Sequence, residues 1–252
     1  MDAVQIIGLI GMPIIRPGDN LAKLICATVK NQGIRIKSGD IFVVTHVVVS
    51  RAEGNIINLD DVVPSEFAKN VAMHYDKDPA LVEVVLRESK SIRRMSKGKL
   101  ITETKHGFIC ANSGVDRSNV PGERIVAPLP KDPDFSSKRI RNEIKRLTGC
   151  DVAVIVSDTH GRPFREGEIN VAIGVSGIKP LRDRRGEKDL FDYILYVKRT
   201  AVADELASAA ELVIGQADEA IPVALIRGYP YQKSEQSKAT ELVRPKEKDL
   251  FL

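Results

Sequence analysis

A mixed fold, α+β or mixed α/β, is expected from three features of this sequence. Apolar runs rich in β-branched residues occur at 41–49, 152–157 and 221–226, each of the length of a buried strand. Between them lie segments with apolar residues at helical spacing and capping residues at their starts. Glycines and prolines punctuate the junctions. With 252 residues, of which 43% are hydrophobic and 29% charged, the chain can bury a substantial core. Mixed sheets flanked by helices are expected, either as a single body spanning 1–252 or as two lobes divided near 117–131.

In chain order, residues 6–15 read as a strand interrupted by Gly8 and Gly11 and ending in Met12, Pro13, Ile14 and Ile15. Glycine there marks close approach of a ligand or a bulge. Asp19 reads as a helix N-cap, because Leu21, Leu24, Ile25 and Thr28 follow at helical spacing before Gly33. Residues 41–49 are too long and uniformly apolar for a solvent-facing strand, and are expected inside the sheet with Ser50 and Arg51 emerging at its end. Residues 64–75 and 79–88 read as helices, the second capped by Asp78 with Pro79 in its first turn. A short strand at 107–111 runs into the polar loop 112–119, and another is expected at 124–128. After a proline-bearing linker, 137–147 reads as a basic amphipathic helix with Ile140, Ile144 and Leu147 inward, stopped by Gly149. The central strand then ends at Asp158 and gives way to a loop containing Gly161 and Pro163. Residues 169–175 form a further strand, 201–214 a helix closed by Gly215, and 221–226 a last strand with Pro222 at its start or on an edge. From Gln232 the tail is polar and is expected to be partly mobile.

Several function classes are disfavoured. No apolar run approaches the roughly 18 residues of a membrane span, and the opening residues lack a basic region, so a cytoplasmic protein is expected. Cys26, Cys110 and Cys150 are spaced neither as a metal site nor as a disulfide framework, and read as small apolar residues. The net charge of +4 is too mild to argue for bulk nucleic-acid binding. Two basic clusters, 87–99 and 179–188, fit either an anionic small molecule or an ordinary solvated face. There is no P-loop, no Rossmann fingerprint, no nucleophile elbow and no zinc-like spacing among His46, His74, His106 and His160. What remains is oxygen chemistry. Asp158 at a strand end, Asp116 in a loop and Gln216 after a helix would suit Mg²⁺ or Mn²⁺ beside phosphates, with Arg162 and Arg165 as cationic partners. By spacing alone the ordinary alternative stands beside this one, with the aspartates forming turns and the arginines solvated.

At these residues the chain resembles the coenzyme F420-0 gamma-glutamyl ligase family over nearly its whole length. The resemblance is carried in order by Gly11-Met12-Pro13-Ile14-Ile15, Ser50-Arg51-Ala52-Glu53-Gly54, Asn112-Ser113-Gly114-Val115-Asp116-Arg117-Ser118-Asn119, Ser157-Asp158-Thr159-His160-Gly161-Arg162-Pro163-Phe164-Arg165, Ala172-Ile173-Gly174-Val175-Ser176-Gly177 and Gly215-Gln216. It implies a family-specific fold, an intertwined homodimer, and GTP-dependent addition of L-glutamate to F420-0, with two Mn²⁺ or Mg²⁺ ions per site and K⁺. Matched by position, it implies that Asp116, Asp158, Thr159 and Gln216 are metal ligands. It likewise implies that Met12, Pro13, Ile14, Ile15, His46, Arg51, Asn119 and Gln216 lie along GTP. Three positions depart from the family pattern: Arg51 stands where lysine is common, His46 where a small hydroxyl residue occurs, and Gln216 where glutamate can occur.

A carboxylate is a poor acyl donor because it would have to expel oxide. The expected route is therefore phosphoryl transfer from GTP to give an acyl phosphate, then attack by the glutamate amine. That chemistry needs charge stabilisation and water exclusion rather than a protein nucleophile. Asp116, Asp158 and Arg162 are the residues expected to carry it, with Arg165 and the 179–188 cluster as further candidates for phosphate or the F420-0 tail. Two alternatives remain at this level: a related ligase acting on another carboxylate-bearing cofactor, and a non-catalytic nucleotide- or RNA-binding protein. The second predicts steep salt dependence of polynucleotide binding.

Overall fold

The computed structural model describes residues 3–249. In chain order it contains β1 (Gln5–Gly8), α1 (Leu21–Asn31), β2 (Ile41–Thr45), α2 (His46–Ala52), β3 (Ile57–Asn58), α3 (Glu66–Tyr75), α4 (Pro79–Arg87), β4 (Ser89–Ser96), β5 (Lys99–Thr104), β6 (Ile109–Ala111) and β7 (Ile125–Val126). It continues with α5 (Pro133–Thr148), β8 (Ala153–Arg162), β9 (Arg165–Ser176), β10 (Arg182–Asp183), β11 (Arg199–Thr200), α6 (Val202–Ile214) and β12 (Val223–Arg227). The architecture is mixed α/β, with mixed sheets and flanking helices.

The main sheet has the order β1-β12-β2-β8-β9. Only β2 and β8 run parallel, with Ile41 opposite Ala153 and Thr45 opposite Ser157. Ile41 to Val44 and Ala153 to Val156 are each 0% exposed. Successive strand side chains point to opposite faces, so this central pair must be covered on both sides. Helix α5 packs on β8, β9 and α1, while α6 packs on β1, β9 and β12. A second apolar cluster, including Leu59, Leu81, Val84, Leu100 and Val126, lies with α4 and the β4-β5-β6 sheet. Between Ala52 and Leu129 the chain touches the first core only through Phe108. Among the described residues no helix is long and apolar enough to cross a membrane.

Several local expectations are corrected. The opening strand stops at Gly8, because Leu9 turns inward to 0% exposure and Gly11 takes φ +82°; Met12 to Ile15 form a loop. Asn20, not Asp19, caps α1 by accepting the Lys23 amide, while Asp19 accepts the Arg16 amide one turn earlier. The run 41–49 divides into β2 and α2. A short apolar run has no period that separates strand from helix, and burial of Val48, Val49 and Ala52 in the main core overrides their low helix propensity. The first basic cluster is largely a hairpin, β4 to β5, turning at Lys97 and Gly98. Its Arg93 pairs with Glu103.

Helix α5 starts at Pro133 within the expected linker, capped by Asp132. Its buried stripe runs through Ser137, Ile140, Arg141 and Ile144, leaving Leu147 40% exposed. Arg141 is buried because it forms hydrogen bonds to Glu235, Asp151 and the Val152 carbonyl. That clamp also corrects the mobile-tail expectation: Glu235 is held, Ala239 is 0% exposed and its amide reaches Asp134. The last residues of the tail, 250–252, lie outside the described residues. Finally, the central strand does not end at Asp158. Ladder pairing with β9 continues to Arg162, and the hairpin turns at Pro163 and Phe164.

Candidate functional site

The parallel pairing of β2 and β8 decides where the site lies. Because Thr45 stands opposite Ser157, the next residues along each strand, His46 and Asp158, meet side by side. His46 opens α2, and its Nε2 lies 3.1 Å from Asp158 Oδ1. A register shift in the β8–β9 ladder follows Val156, the kind of irregularity that re-aims side chains beside a site. Asp158 also accepts the Thr159 amide at 2.8 Å and faces His160 Nε2 at 3.0 Å.

Asp116 arrives from the other core. Asn112, Ser113 and Gly114 take φ of 51°, 54° and 67°, an unusual left-handed triplet. It is pinned by Ser113 Oγ, 2.7 Å from both Ser89 Oγ and Thr102 Oγ1. Asp116 then exchanges backbone hydrogen bonds with Ala127, and its Oδ1 accepts from the Ser118 amide and hydroxyl. Its Oδ2 lies 3.9 Å from His46 Nε2, so His46 stands between the two carboxylates. Across the β8–β9 ladder, Thr159 faces Asn170, with Thr159 Oγ1 3.2 Å from Asn170 Oδ1. The Gln216 amide reaches the same hydroxyl, and its Nε2 donates to Glu211.

The electrostatics follow from burial beside opposite charge. Burial alone would raise the Asp158 pKa, but His46 and His160 together hold the carboxyl well below the usual range. Burial would lower His160, yet the Asp158 carboxylate and then the Cys110 thiol push it up to about 10. His46 is raised on balance as well, with Asp158 and Asp116 outweighing its burial. Arg51 is lowered by burial, and its Nη1 donates to the Asn119 carbonyl at 3.0 Å.

These groups converge on one cleft of about 390 Å³. Met12, Pro13, Ile14, Ile15, His46, Arg51, Asp116, Asn119, Asp158, Thr159 and Gln216 all line it. Arg162 does not: its guanidinium donates to the Glu166 and Gly167 carbonyls, and it locks its own hairpin instead of facing the cleft. Arg165 and the 179–188 cluster also lie outside the lining, and within that cluster Arg184 pairs with Glu187, Arg185 with Asp183 and Lys188 with Asp192. Sequence reasoning missed Ser157, Asn170 and Glu219, which do line the cleft. Asn170 carries a signal in hindsight, a lone amide in a strand of apolar residues, but its partner Thr159 is set by the hairpin register.

The facing donors are carboxylate, hydroxyl and amide oxygens, the set that hard divalent cations prefer. Ser157 Oγ and His46 Nδ1 are buried without a hydrogen-bond partner. Buried polar atoms are nearly always satisfied, so these two leave hydrogen-bonding capacity beside the carboxylates, compatible with a bound polar or ionic group. A second grouping, Cys110, Asp158 and His160, brings its donor atoms within 4.8 Å of one another.

Comparison with known proteins makes the chain a ligase. The sequence model of the F420-0:gamma-glutamyl ligase family matches residues 9–228, and the chain belongs to that family. It is 47% identical over 249 residues to a coenzyme F420:L-glutamate ligase of Methanothermobacter thermautotrophicus, covering 98% of each chain. It is 49% identical over 252 residues to one of Methanocaldococcus jannaschii, covering 98% of this chain and 96% of the relative. A third, of Methanopyrus kandleri, is 46% identical over 240 residues, with 94% and 93% covered.

Proposed function

We propose that this protein joins L-glutamate to coenzyme F420-0 through a gamma-glutamyl amide bond, using GTP and releasing GDP and phosphate. The observation that carries the reading is the convergence of Asp116, the adjacent Asp158 and Thr159, and Gln216, from three segments of the chain, on a cleft that also holds the Met12 to Ile15 wall. The γ-phosphoryl group leaves GDP for the substrate carboxylate. The glutamate amine then attacks the acyl carbon, phosphate departs with the activated oxygen, and the amine loses its proton.

Asp116, Asp158, Thr159 and Gln216 are the residues that would hold Mn²⁺ or Mg²⁺, two ions per site, with K⁺ as an accessory cation. When bound, these cations neutralise charge across the phosphates. The chain's own groups do the rest. His46 and His160 fix the Asp158 carboxylate from two sides. Arg51, oriented by the Asn119 carbonyl, offers a guanidinium to phosphate oxygens. The apolar walls limit water beside an acyl phosphate that water would destroy. We place the reaction in the cytosol and assign a homodimer, with the exposed apolar excursion between β10 and β11 as its contact.

Mass spectrometry of F420-0 incubated with the protein, L-glutamate, GTP and Mn²⁺ tests the reading. Products heavier by glutamyl units, with stoichiometric GDP, are expected; Asp158→Asn loses both by at least about 100-fold, the scale of one lost transition-state charge contact. GDP release without ligation would move the assignment to another carboxylate acceptor. Absence of turnover with every nucleotide would remove the ligase reading.

A further inference from the structure

Asn170 places an amide where its strand gives no use for one. It is 3% exposed in β9, lines the cleft and stands opposite Thr159 in the β8–β9 ladder. Its neighbours Ile169 and Val171 are apolar, so its burial costs desolvation that packing does not require. The Ser208 hydroxyl of α6 donates to its backbone carbonyl at 2.7 Å, which fixes the residue where strand meets helix. Its Oδ1 lies 3.2 Å from Thr159 Oγ1. Among the described residues nothing accepts a hydrogen bond from its Nδ2.

Which end of this amide is left for the cleft follows from a chain of hydrogen bonds that starts outside the lining. Glu211, on α6, is not a lining residue. A carboxylate only accepts, so the Gln216 end that faces it is the nitrogen: Nε2 donates to Glu211 Oε1 at 2.9 Å. The second Nε2 hydrogen is left for Thr159 Oγ1, 3.1 Å away. Thr159 has one hydroxyl hydrogen and two acceptors at 3.2 Å, Gln216 Oε1 and Asn170 Oδ1. A hydroxyl that gives its lone pair to a cation turns its hydrogen away from that ion. With Thr159 Oγ1 and Gln216 Oε1 both serving a cation, the hydrogen goes to Asn170 Oδ1. Both Nδ2 hydrogens of Asn170 then remain for a ligand.

Resting on the GTP reading above, we infer that Asn170 is a phosphoryl-binding residue: its Nδ2 donates to an oxygen of the group transferred from GTP. Glu211 is the positioning residue that, through Gln216 and Thr159, keeps that nitrogen outward. The cation-holding hydroxyl of Thr159 lies within one hydrogen bond of Asn170, so phosphate oxygens bridged there come within its reach. An amide suits this place because it donates to an anionic oxygen without adding a positive charge beside the cations. Asn170 neither gives nor takes a proton as the bond to GDP breaks and the bond to the substrate carboxylate forms. It supplies a fixed donor where charge develops.

Calorimetric titration of the Mn²⁺-loaded protein with GDP and with the β,γ-imido analogue of GTP tests this without turnover. In Asn170→Ala the analogue should bind about 10-fold more weakly than to the wild type, with GDP within about 2-fold. Asn170→Asp, nearly isosteric, sets a carboxylate against the phosphoryl group and should lose about 100-fold for the analogue alone. Mn²⁺ stoichiometry, read by electron paramagnetic resonance, stays unchanged in both variants. Glu211→Gln should weaken the analogue about 3-fold with GDP binding and the melting midpoint unaltered, while Glu211→Asp, which keeps an acceptor-only end, binds as the wild type does. Equal losses for GDP and the analogue, or none for either, overturn the assignment. Loss of a Mn²⁺ ion in Asn170→Ala overturns it too, by making Asn170 a cation ligand. Wild-type binding by Glu211→Gln removes Glu211 from the chain of contacts. Failure of the wild type to bind either nucleotide overturns the GTP reading itself.

Discussion

His160 shows how one side chain's surroundings set a measurable property. It lies 13% exposed against Asp158, and its pKa is pushed up to about 10 because the Asp158 carboxylate and Cys110 thiol overcome its burial. A group whose folded pKa is raised contributes stability that is fully present below its unfolded value, 6.5, and lost as pH rises through about 10. Asp158 has the opposite sign: its contribution is present above 3.8 and lost as pH falls through its depressed folded value. The metal-free protein should therefore lose stability steadily between about pH 6.5 and about pH 10, and His160→Gln should flatten that decline. Urea midpoints across this range check it; equal slopes in the two proteins would refute the pairing. At this scale the sequence made Asp158 and Asp116 conspicuous, since each is an aspartate delivered by the end of an apolar run, while Thr159 entered only through the family resemblance. It could not show that two histidines grip one carboxylate, because His46 lies 112 positions upstream of Asp158 in sequence number.

Among elements, the junction of α5 with β9 is the least tolerant. A Cβ on Gly174 would meet the Pro133 carbonyl oxygen at 2.3 Å and its carbon at 2.4 Å, atoms of a helix start that cannot swing aside. The same junction is tied by Asp134, which accepts the Val175 amide at 2.8 Å. Gly174→Ala should cost about 3 kcal/mol, the upper range of overpacking penalties. A denaturant melt checks this; a loss under about 1 kcal/mol would mean that α5 can shift on the sheet. The helix start at Pro79 behind Asp78 was readable because caps are local chemistry, whereas α3, expected from Pro64, starts at Glu66 behind a Ser65 cap. The end of β2 was not, because the switch from strand to helix at His46 is made by packing against the core.

At the scale of the molecule, the excursion carrying β10 and β11 is an anomaly. Leu190 is 96% exposed, Phe191 89% and Val197 88%. Large apolar side chains this exposed are what a partner surface would cover. If a second copy covers it, the wild type should sediment at twice the chain mass, while a Leu190→Asp, Phe191→Asp double variant sediments at the single mass with an unchanged melting midpoint. A double variant that stays at twice the chain mass would place the dimer contact elsewhere. The basic cluster 179–188 shares this excursion, where Arg184 pairs with Glu187, Arg185 with Asp183, and Lys188 with Asp192 just beyond it.

By itself the sequence determined most of the strand-forming runs, the Asp78 cap of α4 and the family, because these depend on residue type over short spans or on ordered motifs. Tertiary structure alone decided which of those groups share a cleft. The parallel register of β2 with β8 set His46 beside Asp158, the β8–β9 hairpin turned Arg162 onto its own backbone, and the loop after α6 brought Glu219 to the apolar wall. Register and long-range closure depend on contacts between residues far apart in the chain, and no local pattern encodes them.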